Sequence, residues 1–323
     1  MHNTRNRYID SQRTMKKVLI LGGAGFIGGN LSRALVKSGI PTTIFTRPTA
    51  SLGRIQDILD DVELIYGDFL DDSTLEEAIN GVDVVFHLIS TTFPNRKEKS
   101  SVYDVLSNLL PTIRLIEMCL ENNVKKIVYA SSGGTVYGEP QSNLISETQT
   151  LLPKSAYGQS KLTIENYLNF YARTTNLDIN ILRISNPFGP GQHSWRVQGI
   201  VAVAIGCLLH KRTLQIYGEG ETVRDYIYID DVIEAMLLIA SSSGSSIVNI
   251  SSGKGYSILD IVHKIESLTS QIIDKQFISS RPGDVRVNVL SNQKAFDLYG
   301  WKPHISLDEG LEITLDWLSC NLS

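Results

Sequence analysis

Cysteine is scarce in this 323-residue chain: Cys119, Cys207 and Cys320 are the only three, set far apart. Such spacing makes neither a metal-ligand cluster nor a redox pair, so no metal site is expected and a reduced cytoplasm is the expected compartment. No apolar run approaches the ~18 residues of a membrane span. Neither sign of charge dominates: 30 Lys and Arg face 34 Asp and Glu, for a formal net charge of −4. Coating nucleic acid or lying on an anionic membrane would need a basic field, which this balance does not supply. Residues 1–14 are polar, with no apolar stretch or cleavage site, and read as a disordered tail rather than a secretory signal.

What remains is an ordinary globular composition, 42% hydrophobic, long enough for two domains or one large one. From residue 16 to about 183, short apolar runs alternate with helical stretches. Residues 17–21, 42–45, 62–66, 82–88, 126–130 and 179–182 read as strands, and 30–38, 73–80 and 105–121 as helix. Strands with little alternation, separated by helices, predict an α/β fold with a doubly wound parallel Rossmann sheet. Residues 15–183 are the expected dinucleotide-binding domain, with room for later chain to return to it. The turn-rich run from Asn186 to Gly191 breaks the pattern, and 184–323 are expected to form a smaller, interleaved α/β lobe.

The first strand runs into Gly22-Gly23-Ala24-Gly25-Phe26-Ile27-Gly28. Spaced glycines allow a tight turn, close approach to a pyrophosphate, and close helix–strand contact. The helix start adds free N–H groups and partial positive charge. Gly22, Gly25, Phe26, Ile27 and Gly28 are therefore the expected phosphate contacts; strand before and helix after set this loop apart from a mere glycine-rich turn. The second strand ends in Phe45-Thr46-Arg47-Pro48, without the carboxylate that would favour the free ribose of NAD. Thr46 and Arg47 are expected at the ribose, and Arg47 points to NADP unless it is simply a solvated side chain. Asp68 is expected to accept from the adenine amino group and Phe69 to cover the ring; the plainer alternative is a strand-to-helix cap.

Tyr157 and Lys161 stand four apart, on one face of an expected helix. A phenol working as general base near neutrality needs its pKa lowered from about 10, and a neighbouring ammonium favours phenolate. Lys161 can also hold the cofactor's ribose hydroxyls. His87 and His193 are given no role.

With these residues in view, the chain resembles the extended short-chain dehydrogenase/reductases, and among them the nucleotide-sugar epimerases similar to UDP-glucose 4-epimerase. The markers are GGAGFIG at Gly22, GDF at Gly67, FHL at Phe86, SSGGTVYG at Ser131, YGQSK at Tyr157, NPFGPGQ at Asn186, RDYIYIDD at Arg224 and RPGD at Arg281. The resemblance implies Tyr157 as acid/base, Lys161 as its partner, and Asn108 and Ser131 at the cofactor end. It implies that Asn186, Tyr217, Arg224 and Arg281 hold a nucleotide sugar, through the pyrophosphate for Asn186 and the arginines; taken singly, either arginine could be a surface ion pair with Asp225 or Asp284. It also implies a homodimer through a four-helix bundle using helices near 105–121 and 156–173, the first bent by Pro111, and a setting in polysaccharide synthesis.

One departure stands out. The hydroxyl that the family carries four residues before Tyr137 is Gly133 here, and strand alternation makes Thr135 the expected substitute. Gly134 and Thr135 also stand where related dehydratases carry an acidic pair, which argues against dehydration. The expected activity is a 4-epimerase of a UDP-hexose using NAD or NADP. A 4-ketoreductase consuming NADPH is the alternative, and a non-catalytic dinucleotide sensor a second one.

Overall fold

The computed structural model describes residues 15–92, 101–194, 199–280 and 285–321. Its strands are β1 (Val18–Leu21), β2 (Thr42–Thr46), β3 (Glu63–Tyr66), β4 (Val84–His87), β5 (Lys126–Ser132) and β6 (Asp178–Ile184). They continue as β7 (Asn186–Phe188), β8 (Leu214–Tyr217), β9 (Val223–Tyr228), β10 (Ser246–Ile250), β11 (Gly255–Ser257), β12 (Lys275–Ile278) and β13 (Val287–Asn288). The helices that matter for the site are α1 (Phe26–Lys37), α2 (Asp72–Ile79), α3 (Leu110–Glu121) and α4 (Ala156–Thr174). The chain divides into two compact units. The first takes the described residues of Met1–Val136, Ser155–Arg183 and Ile233–Val248; the second takes those of Tyr137–Lys154, Ile184–Val232 and Asn249–Ser323.

A seven-stranded sheet in the order β10-β6-β5-β4-β1-β2-β3 forms the frame of the first unit. β3, β2, β1, β4 and β5 pair in parallel, and β1 and β2 are buried along their whole length. Their unbroken apolar runs follow from having both faces covered. On one face Leu19, Leu21 and Val85 pack with Leu115 and Ile116 of α3 and Ile164 and Leu168 of α4. On the other, Ala24 and Ile44 pack with Ile55 and Ile58. The expected doubly wound sheet is what forms. Because strand order reverses between β1 and β4, their carboxyl ends open a crevice beside the start of α1, where such sheets bind ligands.

In the second unit β9 pairs antiparallel with β11 and parallel with β7 and β13, while β8 and β12 form a separate parallel pair. Among the described residues no helix is long and apolar enough to cross a membrane.

The expected continuous helix over 105–121 needs correction. Val105–Leu109 is a π turn in which the Leu110 N–H reaches back to the Val105 carbonyl, and α3 begins only then. Pro111 sits just past the π turn, inside backbone that is helical from Ser101 onward, so its missing N–H falls within the helical run as expected. Widened turns of this kind gather at functional sites.

Candidate active site

The glycine turn is closed by its own backbone. Gly22 takes a positive φ of +85°, and the Gly25 N–H donates to the Gly22 carbonyl at 2.9 Å. A Cβ on Gly28 would lie 2.3 Å from that same carbonyl oxygen and 2.7 Å from the Gly23 Cα. No side chain caps α1 at Gly25, and no acid sits in its first turn. A helix start left without side-chain acceptors offers its N–H groups and dipole to an anion, which is the fit a pyrophosphate requires. Gly28→Ala is expected to force the turn apart and weaken NAD or NADP binding by about tenfold or more. Calorimetric titration with each dinucleotide checks this; unchanged affinity would remove the turn from the site.

Thr46 is buried at the end of β2 and Arg47, next to it, is exposed. Asp68 is exposed and its Oδ1 accepts from the Leu70 N–H at 3.0 Å. Phe69 departs from its expected role over the adenine. It is 5% exposed, and its ring lies against the His87 imidazole at 5.1 Å between centroids, in the core. The turn after β3 sends the Phe69 ring inward and leaves Leu70 at the surface. His87 is sandwiched between Phe69 and Tyr129, and its Nε2 pairs with the Thr112 hydroxyl at 2.9 Å. Burial, with the Lys161 charge behind it, lowers His87 to about 3, so the ring is neutral.

Beyond β4 the chain makes a polar wall. Asn108, held out by the π turn, accepts from the Thr91 N–H at 2.9 Å, and its amide donates to Thr92 Oγ1 at 3.3 Å. Asp104, also buried, takes the Thr92 hydroxyl. Ser90 Oγ donates to the Thr92 carbonyl at 2.8 Å. Ser90, Thr92 and Asn108 line one small pocket together with Ile89, Tyr157, Ser160 and Lys161.

Tyr157 and Lys161 come from the first two turns of α4, whose start is capped by Ser155 accepting from the Gly158 N–H. Lys161 Nζ donates to the Ala130 carbonyl at 2.9 Å and lies 4.6 Å from the Tyr129 ring centroid and 5.9 Å from that of Tyr157. Their electrostatics differ from the expectation of an acidified phenol. Burial pushes Tyr157 up to about 12; hydrogen bonds from Ser132 and Ser90 pull it down, and Asp104 adds to the rise. Burial lowers Lys161 to about 8, with Glu165 opposing the change. Desolvation is the largest cause of both shifts.

Thr135 also departs from its expected place. β5 ends at Ser132, and Thr135 sits in the following turn with its N–H on the Ser132 carbonyl at 3.2 Å and its hydroxyl 3.5 Å from the same oxygen. Alternation holds only within the strand, so it did not carry to residue 135. Ser131, expected at the cofactor, instead gives its hydroxyl to Glu165. Glu165 in turn holds Arg183 through Nη2 at 2.7 Å and Nε at 3.1 Å, with both side chains at most 4% exposed. Sequence reading missed this pair. Its signal was an arginine inside the apolar run of β6, which cannot be buried without a counter-charge.

In the second unit Asn186 donates from Nδ2 to the Asp225 carbonyl at 2.9 Å. Arg224 lies on β9 and Tyr217 ends β8. The carboxylate of Asp225 is fully buried and takes hydrogen bonds from Ser185, Ser252, Gly253 and Leu290. It is therefore not the surface partner that could have explained Arg224 away. Arg281 and Asp284 lie outside the described residues.

The sequence profile of the NAD dependent epimerase/dehydratase family matches residues 18–251. A UDP-glucose 4-epimerase of Mycolicibacterium smegmatis is 31% identical over 308 residues, covering 93% of this chain and 98% of its own. A dTDP-4-dehydro-6-deoxyglucose reductase of Escherichia coli is 32% identical over 316 residues, covering 94% and 98%. The Thermus thermophilus UDP-glucose 4-epimerase, solved with NAD, superposes with a TM-score of 0.88 at 30% identity, covering 94% of this chain and 99% of that one. A glycine turn opening onto an uncapped helix, a Tyr–Lys pair on the helix lining the pocket, and a profile match across most of the length agree: the chain belongs to the NAD dependent epimerase/dehydratase family.

Proposed function

We propose that this protein is a nucleotide-sugar 4-epimerase acting on a UDP-hexose through a transient 4-keto sugar. The observation that carries the reading is Tyr157 lining one small pocket together with Lys161 and Asn108. NAD or NADP is held by Gly22, Gly25, Phe26, Ile27 and Gly28, with Thr46, Arg47 and Asp68 toward the adenosine and Asn108 and Lys161 toward the nicotinamide. When bound, the nicotinamide supplies a hydride acceptor and donor and, oxidised, a fixed positive charge. That charge and the Lys161 ammonium favour the Tyr157 phenolate, which burial alone disfavours. Tyr157 takes the proton of the 4-hydroxyl and returns it after the sugar has turned. Asn186, Tyr217, Arg224 and Arg281 keep hold of the nucleotide through that turn, arginine forks suiting a pyrophosphate.

The reductase reading has its own support in the E. coli relative and in Arg47 at the end of β2. Two incubations separate the readings: UDP-galactose without added cofactor, and a 4-keto-6-deoxysugar nucleotide with NADPH. Conversion to UDP-glucose in the first is the expected result. NADPH consumption in the second alone would replace epimerase with reductase, and silence in both would leave a dinucleotide sensor.

A homodimer in the cytoplasm belongs to the same proposal. Its support is the apolar surface carried by the helices of the expected bundle: Leu106 and Leu110 at the π turn, Tyr167 and Phe170 on α4, each at least 40% exposed. A helix face this apolar normally meets a partner.

A further inference from the structure

The polar wall beside Tyr157 has a charge behind it. Asp104 ends the short helical stretch Ser101–Asp104 that leads into the π turn, four residues before Asn108, and is 5% exposed. Its Oδ1 takes two donors, the Thr92 hydroxyl and, at 3.4 Å, the Asn108 amide. Two donors on one oxygen suit an ionised carboxylate, which can only accept. Thr92 and Asn108 both line the small pocket with Tyr157 and Lys161, so the carboxyl group lies one hydrogen bond behind the pocket wall. Both groups that hold it are neutral, and neither cancels its charge.

The charge has a counterpart in the pocket. Among the described residues lining it, the one cation is Lys161. Glu165, one turn further along α4, is already committed to Arg183 at 2.7 Å. The field of Asp104 reaches inside: burial is the main cause of the rise in Tyr157, and Asp104 adds to it. A nicotinamide ring is a cation when oxidised and neutral when reduced. Beside Lys161 alone the oxidised ring would be repelled. An anion behind the wall offsets that repulsion and does little for the reduced ring.

We propose that Asp104 is the counter-charge that lets this pocket keep an oxidised, cationic nicotinamide beside the Lys161 ammonium. The assignment rests on reading Tyr157 and Lys161 as the nicotinamide end of the site. It also gives the proposed cycle a safeguard. An epimerase finishes each turnover with the ring oxidised, and a pocket favouring the reduced ring would stall whenever a keto sugar escaped. A reductase that consumes NADPH gains nothing from such a carboxylate.

The test is equilibrium titration of NAD and NADH, without sugar, on wild type, Asp104→Asn and Asp104→Glu, with NADP and NADPH as a second pair. Asp104→Asn removes the charge and keeps an acceptor for the Thr92 hydroxyl. Wild type is expected to hold the oxidised form at least as tightly as the reduced one. At an effective dielectric of about 20, opposite charges within about 10 Å change an affinity about tenfold. Asp104→Asn therefore loses about tenfold in affinity for the oxidised form, while the reduced form stays within about twofold. That split is a rise of about 30 mV in the potential of the bound two-electron couple. Asp104→Glu keeps most of the wild-type ratio.

Equal weakening of both forms in Asp104→Asn would mean a carboxyl group that only braces the wall, and overturns the proposal. So does an unchanged ratio. Should Asp104→Asn not fold, wild type decides, and tighter binding of the reduced form overturns the proposal there. Binding of neither form would remove the cofactor reading itself. A failure to turn over UDP-galactose would remove the epimerase reading and leave these titrations standing.

Discussion

Tyr157→Phe lowers kcat by about a thousandfold or more while the fold and dinucleotide affinity persist. General acid–base groups contribute about 10²–10⁴ in rate, and the 4-hydroxyl has no second proton acceptor of equal standing on α4. The substitution removes one oxygen and creates no buried charge. Lys161 keeps its bond to the Ala130 carbonyl. Steady-state turnover of UDP-galactose, with calorimetric titration of NAD on the same preparation, checks both halves. A kcat within tenfold of wild type would show that the phenol does not carry the proton.

The second large effect falls on stability. Glu165→Ala leaves the Arg183 guanidinium buried and unpaired, and breaking such a pair typically costs about 3–5 kcal/mol. The Ser131 hydroxyl loses its acceptor in the same step. Urea unfolding measures the loss, and a change below about 1 kcal/mol would mean the pair is not desolvated as its geometry indicates. The double substitution Glu165→Leu with Arg183→Met should cost much less than either single change, since no charge is then stranded.

A kinetic companion follows from the position of Glu165 one turn beyond Lys161. Glu165 holds the Lys161 ammonium up against the burial that lowers it to about 8. Activity that needs the ammonium is full below that pH and lost above it. Without Glu165 this alkaline limb moves to lower pH, which separates its electrostatic part from its structural one.

How much of this could be read from the residues alone depended on how local the physics was. The β1 run, the glycine turn and the Tyr157–Lys161 spacing are each fixed by neighbours within a few positions, and they form as the sequence suggests. Phe69 was misjudged because a turn, unlike a strand, has no alternation from which to infer direction. Tyr157 was expected to be acidified because its charged neighbour is legible in sequence, whereas the burial that raises it is a property of the assembled sheet and helices. The Glu165–Arg183 pair joins a helix to a strand 18 residues later. Only the cost of an unpartnered arginine in β6 hinted at it.

The π turn at Val105–Leu109 has a bearing on how length changes in this stretch would be tolerated. A widened turn spends one residue more than a regular helix of the same rise, and each helical residue rotates the chain by about 100°. The surplus is used up before Leu110, so Leu115, Ile116 and Cys119 still point inward. Excising a single residue there would let the coil close to ordinary pitch, with the inward stripe downstream kept in phase. What would be forfeited is the outward swing that brings the Asn108 amide to the Thr91 backbone.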